Sequence, residues 1–103
     1  MPEHFDITRW AALPPLEQLG NIGSEVGRTM NALQRGDHAA AEGASLRALD
    51  LIDASVSSWS SESRRRELLR ARELLTTAVE TATPDAELDR YFFQYALAAR
   101  ANR

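Results

Sequence analysis

Leu16, Leu19, Ile22, Val26, Met30 and Leu33 recur at intervals of three and four residues between the proline pair Pro14 and Pro15 and the glycine at position 36. At about 100° per residue these side chains share one face of a helix, the pattern of an element that buries one side and solvates the other. Pro15 suits a first helical position and Gly36 a helix end, so the spacing predicts a helix over about 15–35.

Similar punctuation divides the rest of the chain. Asp37 is placed to cap a helix over 38–57, and the polar stretch SSWSSES reads as a loop whose Ser60 or Ser61 caps a third helix over 61–81. Thr83 and Pro84 mark a fourth, over 84–101. No alternating run of β-branched residues competes for a strand. Helices of similar length with short connections pack as antiparallel neighbours. The expected fold is therefore all-α: an antiparallel up-down-up-down four-helix bundle in a single domain, 1–103, with an N-terminal arm, 1–14. Leu19, Ile22, Val26, Leu49, Ile52, Leu68, Leu75, Leu88, Tyr91, Phe92 and Tyr95 are its expected core, and Phe5, Ile7, Trp10 and Leu13 of the arm also need burial.

Bulk properties restrict function more than they define it. With no cysteine among 103 residues, disulfides and thiolate metal sites are excluded. The start MPEHFDITRW lacks a charged segment followed by an apolar one, and no apolar run approaches the roughly 18 residues that span a bilayer, so a cytoplasmic chain without membrane contact is expected. A net charge of -3 opposes general binding to phosphate backbones, which makes nucleic acid an unexpected partner. All 12 basic residues are arginine, a bias consistent with an alanine-rich, GC-rich source.

Three glycines interrupt the first helix in LGNIGSEVGR, each costing roughly 1 kcal/mol against alanine. Gly20, Gly23 and Gly27 lie within about 60° of one another beside the apolar stripe, forming a groove of bare backbone. The second helix, with Ala40, Ala41, Gly43, Ala44 and Ala48, is expected to pack there. A phosphate cradle is the weaker reading, because the segment matches no phosphate-binding glycine motif and the amides of a helix interior are already hydrogen-bonded.

Beside this groove, Glu17, Asn21, Ser24 and Arg28 share a narrow arc with Glu25 at its edge. The strip reads either as a solvated face carrying a Glu25–Arg28 pair or as a groove for a small polar ligand or a partner loop. On the second helix Asp50 and Asp53 form a D-x-x-D resembling the magnesium-binding spacing of all-α nucleoside triphosphate pyrophosphatases, which implies, with Glu25, an alternative Mg-dependent nucleotide hydrolase. Those enzymes also use E-x-x-E on a facing helix, which this chain lacks. In the competing reading the aspartates are counter-ions to Arg64, Arg65, Arg66, Arg70 and Arg72 at the start of the third helix. That arginine cluster makes an RNA-binding accessory bundle a second alternative, against which Glu62, Glu67 and Glu73 are interleaved. His4 and His38 fall on no late helix, and no serine has a base beside it, so neither a catalytic residue nor a cofactor is expected.

In LDRYFFQYALAAR, Leu88, Tyr91, Phe92, Tyr95 and Ala99 share the core face, while Phe93 and Leu97 project to the opposite side. Leu69 is similarly misplaced on the third helix. These three are the expected interface of a non-catalytic interaction module that self-associates as a homodimer, the N-terminal arm being the competing cover.

The segments LEQLGNIGSEVGR, LRALDLIDASV and YFFQYALAAR together resemble a family of small bacterial and archaeal helical proteins of unknown function. The resemblance covers most of the chain. It implies a complete natural helical domain, and it carries no activity, cofactor or site residue.

Overall fold

Asp6 accepts hydrogen bonds from the amides of Thr8 and Arg9, and a short helix, α1 (Ile7–Ala12), follows within the expected N-terminal arm, for which no helix is expected from sequence. The computed structural model describes residues 6–101, with the side chains of 96, 99 and 100 excepted; His4, Phe5 and the Ala99 side chain thus lie outside the described residues. Beyond α1 run α2 (Pro15–Gln34), α3 (His38–Ser58), α4 (Glu62–Glu80) and α5 (Ala86–Ala101), and no strand occurs among the described residues.

Local chemistry sets most of these boundaries. Pro15 opens α2, while Asp37 and Ser61 accept from the amides of Ala40 and Arg64 at the starts of α3 and α4. The fourth long helix begins later than Thr83 and Pro84 suggest. Asp85 accepts from the Leu88 amide with its side chain and from the Asp89 amide with its carbonyl, so Asp85 is the cap. Both α2 and α4 end in a left-handed residue. Gly36, at φ 73, donates to Leu33 O while Asp37 donates to Ala32 O; Ala82, at φ 53, donates to Val79 O while Thr83 donates to Ala78 O.

Hydrophobic faces then bring the long helices together as a bundle. α2 is central, antiparallel to α3 on one side, where Gln18 meets Ser55 and Glu25 meets Arg47, and to α5 on the other, where Gly27 meets Asp89 and Met30 meets Asp85. α4 packs on α3, and its seam with α5 is more open. Ile22, Val26, Ile52, Leu68, Leu75, Leu88 and Phe92 are buried as expected, and Leu19, Leu49, Tyr91 and Tyr95 are half-buried around them.

The partner of the glycine groove differs from expectation. A Cβ on Gly23 would stand 2.9 Å from Phe92 Cβ, so α5, rather than the second helix, rests on the bare backbone of α2. α3 approaches α2 through its own small residues: Ala41, Ala48 and Ser55, spaced by sevens, are buried on one face. Ala40 stays exposed.

α1 is tied down by a buried polar cluster. Gln18, itself buried, donates from Nε2 to Trp10 O and Leu13 O, both at 3.0 Å, and accepts at Oε1 from Ser55 Oγ at 2.7 Å and Trp59 Nε1 at 2.9 Å. Trp10 Nε1 donates to Ser55 Oγ at 3.0 Å. Every hydrogen-bonding position of the Gln18 amide is filled, which is what makes its burial tolerable. Trp10 and Leu13 therefore take the burial expected of the arm against α3, whereas Ile7 remains 52% exposed.

Candidate functional site

Between the outer faces of α2 and α3 runs an open cleft of about 450 Å³ lined by Asn21, Ser24, Glu25 and Arg28 from one helix and Arg47, Asp50 and Leu51 from the other. Four of the five residues of the sequence-derived polar strip meet here. Glu17 does not line the cleft; it is a half-buried residue one turn nearer the start of α2. The strip is also less solvated than its composition suggests, because the Glu25 side chain is only 8% exposed.

Burying that carboxylate requires compensation. Arg28, one turn along, donates to Glu25 Oε1, and Arg47 from α3 donates to Oε2. The expected Glu25–Arg28 pair is thus one half of a two-arginine clamp across α2 and α3. Arg28 and Arg47 remain more than half exposed, so the cleft offers a ligand guanidinium edges, with Asp50 on the opposite wall. Ser24 spends its hydroxyl proton on Gly20 O at 3.2 Å and presents lone pairs. Arg47 is the charged lining side chain of the cleft that the sequence pattern does not point to. Its signal is weak: an arginine on the second helix reveals its partner only once the register of α3 against α2 is known.

The metal set Glu25, Asp50 and Asp53 is not brought together. Asp53 faces α4, where Arg72 grips it with two hydrogen bonds of 2.8 and 3.2 Å, while both oxygens of Glu25 are occupied by guanidinium groups. Among the described residues, no group of three or more His, Asp or Glu side chains is arranged to hold a metal ion. The Asp53 bond meets the counter-ion reading for one of its two aspartates, Asp50 lying on the α2–α3 cleft instead, and raises the Arg72 guanidinium above its ordinary value. Elsewhere in the arginine cluster Arg65 stands 3.8 Å from Glu62 and Arg70 3.1 Å from Glu73. Arg64 lines a recess together with the half-buried Trp59, Tyr91 and Tyr95.

Of the expected interface, Phe93 and Leu97 are 55% and 49% exposed, one turn apart on the side of α5 away from Phe92. Leu69 is 42% exposed but belongs elsewhere. Glu67 faces α5, where it accepts from the Tyr91 hydroxyl; Leu69 is turned about 200° from it. Arg72, one turn beyond Leu69, reaches Asp53 on α3. Leu69 therefore flanks α3 and does not merge with Phe93 and Leu97 into one patch.

No helix among the described residues is long and apolar enough to cross a membrane. Comparison of the chain with protein-family models, curated proteins and solved structures gives no match.

Proposed function

We propose that this chain is a non-catalytic interaction module that pairs with a second copy of itself through α5. The observation that carries this reading is the exposure of Phe93 and Leu97 at helical spacing on the face of α5 opposite its core contacts. The intramolecular cover considered from sequence, the N-terminal arm, packs on α3 over its described part and leaves this face open. Two helices crossing about a two-fold axis would set Phe93 of one copy against Leu97 of the other, and an isologous contact of this kind is the commonest route by which a small domain covers such a patch. The two exposed guanidinium edges that clamp Glu25 in the α2–α3 cleft are groups suited to holding a partner's acid group.

Light scattering across the micromolar range tests the reading. A dimer is expected, converted to monomer by Phe93→Glu and left intact by Leu69→Glu on the separate α3 side. A monomeric parent, or a dimer indifferent to Phe93→Glu, overturns it.

A further inference from the structure

A second recess, of about 240 Å³, lies where the start of α2, the α3–α4 loop, α4 and α5 meet, away from both the arginine cleft and the exposed face of α5. Its walls are aromatic. Trp59 comes from the loop, and Tyr91 and Tyr95 from successive turns of α5, all three half-buried over a floor that includes Leu19 and Leu68. Tyr91 and Tyr95 meet edge to face at 73° with centroids 5.3 Å apart, so their planes form a corner.

Two of the three rings are also fixed. Trp59 is held through Nε1 by the buried amide of Gln18, and the Tyr91 hydroxyl by Glu67. Side chains already locked in place lose little entropy when they receive a ligand. Two charges stand among the lining residues: Glu67, and Arg64 one helical turn before it on α4.

This combination selects a chemistry. Aromatic faces attract cations through their quadrupoles, and in water the net gain favours a cation that gives up little hydration on entering. A primary ammonium would forfeit most of its hydration here, because among the described residues Glu67 is the only carboxylate lining the recess. A quaternary ammonium, its charge spread over methyl groups, forfeits far less. Arg64 would oppose a bare cation but pair with an acid group carried on the same molecule.

We propose that this recess binds a small trimethylammonium zwitterion of the betaine type, with its quaternary head against Trp59, Tyr91 and Tyr95 beside Glu67 and its acid group toward Arg64. The site is independent of self-association through α5, since neither Phe93 nor Leu97 lines it.

The test is a titration of the full-length, isotope-labelled chain with glycine betaine, followed by amide and indole N–H resonances. Saturable shifts are expected at the Trp59 indole and at the amides of Tyr91 and Tyr95, with His38–Ala44 unaffected. The carbon isostere 3,3-dimethylbutanoate keeps the shape and the carboxylate but not the positive charge, and is expected to bind at least about tenfold more weakly. Tyr95→Leu, which keeps an apolar wall without a π face, is expected to weaken betaine by a similar factor. Arg64→Gln changes only an exposed position and is expected to weaken betaine in a chain that folds as the parent does. Equal binding of betaine and its isostere, undiminished binding by either variant, no saturable shift at tens of millimolar betaine, or the same shifts from adenosine monophosphate at lower concentration would each overturn the assignment.

Discussion

Gly23 of α2 and Phe92 of α5 lie so close that a Cβ on the glycine would come within 2.9 Å of Phe92 Cβ and 3.1 Å of the Phe92 carbonyl oxygen. Phe92 is fully buried and has no room to retreat. Gly27, one turn along the same groove, is different: its nearest neighbour would be Asp89 Oδ1 at 3.6 Å, an ordinary contact with a movable side chain. Gly23→Ala is therefore expected to destabilise the bundle by about 1–3 kcal/mol despite alanine's better helix propensity. Gly27→Ala is expected to stabilise it by up to about 1 kcal/mol. Urea unfolding of the two variants checks the pair, and equal effects would show that the groove is not a helix contact.

That contrast also marks what the sequence makes legible. The stripe from Leu16 to Leu33 and the breaks at Pro15, Asp37 and Ser61 are local signals, and the long helices follow them within one residue, apart from the later start at Ala86. Which helix enters the glycine groove is a question of registry between elements distant in the chain, and single-helix periodicity carries no such information. The same holds for the site. Asn21, Ser24, Glu25 and Arg28 share an arc because they share a helix, whereas Arg47 joins Glu25 only through the register of α3 on α2. Gln18 is harder still: a polar residue among the leucines of α2 reads as solvated until Trp10, Ser55 and Trp59 arrive from three other segments to satisfy it.

The ends of α2 and α4 make a matched experiment. Both carry the same pair of terminal hydrogen bonds around a left-handed residue, but one position holds Gly36 and the other Ala82. An L-residue with a Cβ pays about 1 kcal/mol or more for that conformation, while glycine adopts it without a clash. Ala82→Gly is expected to raise stability by about 0.5–1 kcal/mol, and Gly36→Ala to lower it by about 1 kcal/mol. Thermal melts of the two single variants, with opposite signs, are the check.

The buried amide of Gln18 joins four other groups. Gln18→Met preserves the length of the side chain but leaves the Trp59 indole N–H, the Ser55 hydroxyl proton and the Leu13 carbonyl without their partner, while the Trp10 carbonyl keeps the Leu13 amide. Each buried orphan costs about 1–3 kcal/mol, and water can reach the half-buried Trp59, so a loss of about 3 kcal/mol or more is expected. Trp59→Phe, which removes one donor, is expected to cost about 1 kcal/mol. In a double-mutant cycle the two are expected to be less than additive, because the Gln18–Trp59 bond can be lost only once. Loosening should be greatest in α1, which this cluster fastens to α3, and amide exchange over Ile7–Ala12 reads it directly.

Tyr91 makes stability fall on the alkaline side. Burial is the largest influence raising its hydroxyl far above the ordinary phenol value of 10.0, with hydrogen bonds to Glu67 and Tyr95 adding to it. In the unfolded chain the phenol ionises near its ordinary value, while in the bundle it stays protonated. Above pH 10 the folded state therefore binds more protons than the unfolded one, and unfolding becomes easier as pH rises. The contribution is fully present below pH 10 and declines progressively above it. Tyr91→Phe cannot ionise. Its stability at neutral pH is expected to be slightly lower through loss of the Glu67 hydrogen bond, but its decline between neutral pH and the alkaline limit is expected to be shallower than that of the parent. Urea midpoints measured at neutral pH and above pH 10 give both slopes, and a variant that declines as steeply as the parent would remove Tyr91 as the cause.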